Sequence, residues 1–232
     1  MTDDSMTNTI YWVRHGESES NLRREFATWR IDLSLTDKGR LQAAQTGDYL
    51  QDMQIDEIFC SPLRRAKETA AIIGRALSQP VTEMSQFREV SVGELEGLPI
   101  NGENRQVFLA VRRAWQDGDL TASVPGGESY QEIWARTYDG IFRILRGKRG
   151  LRIIVVAHMA LLSHTIADLC PSVDVEALRQ QESFNCSITE MTMRCADGRW
   201  RGDLVRWVDV SHLSGAAAEL ISFSTSSGRR ES

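Results

Sequence analysis

Residues 10–21 read IYWVRHGESESN. An apolar run of β type stops at Arg14-His15-Gly16-Glu17, so a guanidinium and an imidazole stand side by side where a strand gives way to a loop. A strand end that carries this pair suggests a pocket at the edge of a sheet, and the rest of the chain is read for what else reaches that edge.

Further short β-type runs follow at EIFC (57–60), PVTEM (80–84, weak), RIIVVA (152–157), SITEMTM (187–193) and LVRWVDV (204–210). Longer helical runs lie between them. SLTDKGRLQAAQTGDYLQDM opens with Thr36 as N-cap and sets Leu41, Ala44, Gln45, Tyr49 and Met53 on one face. LRRAKETAAIIGRAL carries an apolar stripe of Leu63, Ala66, Ala70, Ile73 and Leu77. In PGGESYQEIWAR the Pro125-Gly126-Gly127 turn precedes a helix start, where Glu128 and Glu132 favour the positive helix end. Strand followed by helix, repeated, indicates an α/β fold with a mostly parallel sheet and helices on both faces. Ligands of such sheets bind at the carboxyl ends of the strands.

Three strand-to-helix junctions then carry the chemistry. The first strand runs into Arg14-His15, the second into Ser61-Pro62-Leu63-Arg64-Arg65, and the fourth into His158. Planar guanidinium forks suit the oxygens of a phosphoryl group, and a neutral imidazole between them can attack phosphorus. Neighbouring arginine charge keeps such an imidazole unprotonated. Transfer also needs a proton for the leaving oxygen and a base for water, and Glu89 in FREVSVGELEG is the candidate for both.

The remaining features set bounds. At 232 residues the chain is read as one domain over 9–210, with 1–8 and 211–232 as flexible tails. Hydrophobic content of 41% and charged content of 25% are those of ordinary soluble proteins. A net charge of -5 gives no general attraction to nucleic acid or an anionic membrane, so an anionic substrate must be drawn by a local cationic pocket. No secretory signal or membrane-spanning run is evident, and a cytoplasmic location is expected. Cys60, Cys170, Cys186 and Cys195 lack metal-ligand or CxxC spacing and are expected to be reduced thiols.

The segments RHGESESN, SPLRRAKETA, FREVSVGELEGL, PGGES and VVAH, in this order, resemble the histidine phosphatase superfamily in its phosphoglycerate-mutase-like branch with the RHG signature. The resemblance implies a three-layer αβα sandwich and a phosphohistidine intermediate on His15. Arg14, Arg65 rather than Arg64, and His158 would complete the phosphate pocket, with Glu89 as general acid and then base. Asn21 would contact the transferring phosphoryl group, and the Gly16 carbonyl would orient His15. No metal or cofactor is implied. One departure is Met159-Ala160 after the second histidine, where the family usually has a small pair. Met159 is therefore a candidate to narrow the pocket or face the substrate, while amides at that helix start remain able to bind phosphate.

The expected reaction is hydrolysis of a small phosphorylated metabolite, because Glu89 and His158 lie only 69 residues apart, shorter than in the cofactor-dependent mutases. Mutase activity and a non-catalytic phosphate-binding role are the alternatives, and a homodimer is expected. Arg23, Arg24, Phe26 and Trp29 are candidate substrate contacts, as are Arg105, Arg112 and Arg113, although a solvated face is the simpler reading of those three. Trp12 and His164 are read as packing residues, Glu128 as structural, and His212 as part of the tail.

Overall fold

The computed structural model describes residues 7–219. In chain order the elements are β1 (Asn8–Arg14), α1 (Glu19–Arg23), α2 (Asp37–Leu50), β2 (Glu57–Cys60), α3 (Arg64–Leu77), β3 (Val81–Glu83), α4 (Gly102–Gln116), α5 (Tyr130–Leu145), β4 (Arg152–Ala157), α6 (Met159–Leu169), α7 (Val175–Arg179), β5 (Ile188–Ala196) and β6 (Arg199–Asp209). The strands form one six-stranded sheet in the order β3-β2-β4-β1-β5-β6. Strands β3, β2, β4 and β1 run parallel, while β5 and β6 are antiparallel additions.

Period-2 alternation divides the core between the two faces of this sheet. Tyr11, Val13, Ile58, Cys60, Ile154 and Val156 face Ala66, Ala70 and Ile73 of α3 and Leu50 of α2. Ile10, Trp12, Ile153, Val155 and Ala157 face the other way, onto Ile133 and Ile141 of α5 and Leu161, Leu162 and Ile166 of α6. This is the αβα sandwich. Trp12 is a core residue, edge-on to Phe87 at 5.7 Å between ring centroids.

The α2 face differs from the expected one. Gly39, Gln42, Ala43, Thr46, Gly47 and Leu50 are buried, whereas Leu41 is 41% exposed. The reason is close packing of helices: a Cβ on Gly47 would lie 2.9 Å from that of Ala76 on α3, so the contact selects small residues over large apolar ones. The Thr36 cap does form, accepting from Gly39 N at 3.0 Å.

The described parts of the two expected tails, residues 7–8 and 211–219, pack on the domain. Asn8 is fully buried and binds Lys148 O and Leu151 N across the sheet margin. Residues 211–219 pack on α2: Leu213 and Ala217 are buried against Ala43, and His212 stacks on Tyr49 while contacting Thr46 Oγ1 at 3.0 Å. A run of small residues and one leucine is enough to cover the small-residue face of α2. The expected tail segments 1–6 and 220–232 lie outside the described residues. Among the described residues no helix is long and apolar enough to cross a membrane.

Candidate active site

Register brings the junctions together. Val13, Cys60 and Val156 share one row of the sheet, so the residues just beyond them emerge at one level. His15 N donates to Ala157 O at 3.0 Å and Ser61 N to Val156 O at 2.9 Å, which continues the ladders one step past the strands. His15, His158 and the start of α3 thereby meet at one edge.

Arg65, in the first turn of α3, organises the centre. Its Nε donates to His15 Nε2 at 3.2 Å, and its Nη2 donates to Ala27 O at 3.1 Å and, weakly, to His158 Nδ1 at 3.4 Å. Arginine has no acceptor, so these contacts assign both tautomers. His15 must carry its proton on Nδ1, where it donates to Gly16 O at 2.8 Å, the contact expected from the sequence. His158 carries its proton on Nε2 and donates to Ser61 Oγ at 2.8 Å. Nη1 of Arg65 is buried with no hydrogen-bond partner among the described residues. Arg64 points away, to Glu68 at 2.9 Å.

Burial is the largest influence on both histidines, followed by the Arg65 charge, and it holds each well below the ordinary value of 6.5. Arg14 adds to this at both rings. Its Nη1 donates to Ser183 O at 2.7 Å. Asn185, from the same loop, donates to His15 O at 3.0 Å and to Asn21 Oδ1 at 3.1 Å. Asn21 Oδ1 also accepts from Ser18 N at 3.0 Å, so its oxygen is occupied internally and its amide nitrogen is left to meet a ligand.

Glu89 follows a 3-10 turn at Ser85–Phe87. Its Oε1 accepts from Val90 N at 2.8 Å and from Leu161 N at 3.0 Å. The start of α6, open to a phosphate on the sequence reading, thus gives its third amide to an acid of the protein itself. Among the described residues Oε2 has no hydrogen-bond partner. Burial raises the carboxyl above its ordinary range, against the opposing pull of the Val90 amide, Arg65 and the Leu161 amide.

A cavity of about 600 Å³ opens over these groups and is lined by Arg14, His15, Asn21, Arg65, Glu89 and Met159, among others. His158 is fully buried and does not line it; its ring stands behind, 5.3 Å from that of His15. Of the outer candidates, Arg24, Phe26, Arg105 and Arg112 line the cavity, while Arg23, Trp29 and Arg113 do not. Arg105, Phe108 and Arg112 share one face of α4. Trp29 instead donates from Nε1 to Glu89 O at 3.1 Å. His164 packs edge-on to Trp115 at 5.0 Å and also reaches the cavity wall, its value pushed down to about 3 by burial and by Arg112 and Arg179.

The loop at 27–31 is held by one carboxylate. Glu96 Oε1 accepts from the amides of Thr28 at 3.2 Å, Trp29 at 2.5 Å and Ile31 at 3.0 Å, and from that of Arg30. Ser61, Ser183, Asn185 and Glu96 were not singled out from the sequence. Ser61 lies within a quoted motif; Ser183 and Asn185 come from about 170 positions away and carry no local signal.

The family model of the histidine phosphatase superfamily (branch 1) matches residues 10–209. A protein of Salmonella choleraesuis named "Probable phosphoglycerate mutase GpmB" is 32% identical over 215 residues, covering 90% of this chain and 97% of that one. Among solved structures, a mycobacterial glucosyl-3-phosphoglycerate phosphatase shares 25% identity at a TM-score of 0.72, covering 88% of this chain and 100% of the other. Bacillus stearothermophilus YhfR is likewise 25% identical at a TM-score of 0.72, covering 88% of this chain and 98% of its own. The chain belongs to branch 1 of the histidine phosphatase superfamily.

Proposed function

We propose that the chain is a phosphomonoesterase that works through a phosphohistidine on His15. The observation that carries this reading is the meeting of Arg65 with His15: an unprotonated ring nitrogen faces a buried guanidinium whose Nη1 has no partner among the described residues. A buried donor without a partner costs free energy unless a ligand supplies the acceptor. A phosphoryl oxygen is such an acceptor, and it places phosphorus before Nε2.

In the proposed reaction Nε2 forms a bond to phosphorus as the ester P–O bond breaks, and Glu89 passes its proton from Oε2 to the leaving oxygen. Arg14, Arg65 and the Asn21 amide hold the phosphoryl oxygens. Glu89, now a carboxylate, takes a proton from water as the water oxygen attacks phosphorus and the N–P bond breaks. His158 keeps Arg65 in plane from behind. Neither a metal nor a cofactor takes part in these steps.

The outer wall supports a reading of the substrate class. Arg105, Arg112 and Arg179 line the same cavity as His15, as do Phe108, Met159 and Leu178. This combination favours a small phosphorylated metabolite with an organic body and a second negative charge. Transfer to another phosphoglycerate is the second reading, favoured by the mutase name of the Salmonella relative.

Phosphate release from a panel of phosphomonoesters in the presence of chelator, beside the His15→Ala variant, tests the proposal. Release that the variant loses by roughly 10⁴-fold or more supports it. Equal release from both would sink the covalent mechanism, and interconversion of phosphoglycerates without release would favour the mutase.

A further inference from the structure

We propose that Arg136 is a positioning residue for Glu89, acting through the backbone on which the acid is mounted. This rests on the reading of Glu89 as general acid.

Arg136 projects from α5, and all five of its N–H donors are engaged. Nε and Nη2 form a fork onto Glu128, at 2.6 Å to Oε1 and 2.9 Å to Oε2. The remaining donors go to three carbonyls of one short segment: Nη1 to Gln86 O at 2.8 Å and Arg88 O at 2.7 Å, and Nη2 to Glu89 O at 3.2 Å. Glu128 extends the bracket, accepting from Ser91 N at 2.8 Å through Oε2 while its own amide donates to Ser91 O at 3.0 Å. The Arg136–Glu128 pair therefore fixes the chain on both sides of Glu89, at 86, 88, 89 and 91.

The segment it holds has little regular structure of its own. It follows a single 3-10 turn and belongs to no strand or long helix, so its carbonyls have no ladder to bind. A planar fork pinned by a carboxylate presents its other donors in fixed directions, which a lysine ammonium cannot do. Proton transfer depends on placing the carboxyl within hydrogen-bond reach of the leaving oxygen. A rigid mount is what this acid needs, since among the described residues only the amides of Val90 and Leu161 grip its side chain.

The test is leaving-group dependence, which mere loss of folded protein does not alter. Arg136→Lys and Glu128→Gln are assayed on monoesters of rising leaving-group pKa, from p-nitrophenyl phosphate to glycerol 3-phosphate, beside Glu89→Gln. Both variants are expected to lose about 10- to 100-fold in kcat/KM on the alkyl ester and less than about 3-fold on the nitrophenyl ester, a fraction of what the acid itself contributes. Equal losses across the series in both, or loss of the folded state in both by circular dichroism, would overturn the proposal. Should Glu89→Gln discriminate while the two bracket variants do not, positioning fails and the acid stands. A Glu89→Gln variant that treats all esters alike, or a wild type silent on every ester, removes the acid reading and this inference with it.

Discussion

Arg65 Nε rests 3.2 Å from His15 Nε2, on the lone pair that would attack phosphorus. In the proposed reaction the guanidinium is therefore the resting occupant of the nucleophile's front face, and a bound phosphate would draw it aside onto oxygen. Because Nη1 lacks a partner in the described residues, that exchange satisfies a donor rather than sacrificing one.

Inorganic phosphate should accordingly stabilise the folded chain. At a concentration of about 100 times its dissociation constant the gain is about 2.7 kcal/mol, or a Tm rise of roughly 5–10 °C for a chain of this size. In Arg65→Met the shift should vanish. Scanning calorimetry with and without phosphate reads it, and an unchanged shift in the variant would remove Arg65 from the anion site.

Stability should fall as pH drops below the ordinary histidine value of 6.5. His15, His158 and His164 are each held down in the fold, so the unfolded chain binds the protons first. Their contributions are complete above 6.5 and are lost toward lower pH, by up to about 1.4 kcal/mol per unit for each ring. Glu89 has the opposite sign: raised in the fold, its contribution is present at low pH and lost as pH rises through its folded value. Burial holds His212 down as well, and four rings outweigh one carboxyl. Urea midpoints at pH 5.5 and 7.5 should differ in favour of the higher pH, and equal midpoints would contradict the burial of neutral rings.

The outer arginines should read the far end of the substrate. Arg112→Gln is expected to raise KM for carboxylated phosphomonoesters by about 10- to 100-fold, the worth of a charge-assisted hydrogen bond. On p-nitrophenyl phosphate it should do little. Arg113→Gln, one residue along and outside the cavity, is the control. A ladder of ω-phosphonocarboxylates against the matching alkylphosphonates gives the same comparison without turnover, and equal affinities along it would argue against a second anion.

Glu96→Gln should loosen the loop at 27–31. One carboxylate oxygen accepts four consecutive amides there; burial is the largest single influence on that carboxyl and raises it, but the four amides together outweigh burial and hold it below its ordinary range. Hydrogen exchange at residues 28–31 should accelerate, with a stability loss of about 1–3 kcal/mol. Protection equal to wild type would mean that the loop is held by other contacts.

The sheet was legible because β4, buried on both faces, leaves the continuous apolar run of RIIVVA, while β2 coincides with EIFC and alternates between buried and half-buried residues. His15 and Glu89 were marked as candidates by residue type and local context, and Arg65 rather than Arg64 by the family resemblance; the fold brings the three to one cavity. The α2 face was not, since its buried positions include glycine, glutamine and threonine, which carry no hydrophobic signal, and Gly47 is small because α3 lies against it. Asn185 and Ser183 were hidden for a different reason: they reach the site through the fold, from a loop that no local pattern marks. The Arg136 bracket was hidden as well, because its partners are backbone carbonyls whose direction no side-chain pattern encodes.

The nucleophile loop and α2 touch backbone to backbone: a Cβ on Gly16 would come 2.5 Å from Gly39 O. That wall of the pocket has nowhere to retreat. The facing wall, built from the loop near Phe26 and from α4 and α7, lines the cavity with side chains that can be exchanged one at a time. Inheritance should therefore act unequally on the two halves, preserving the anvil beneath His15 while the opposite jaw drifts.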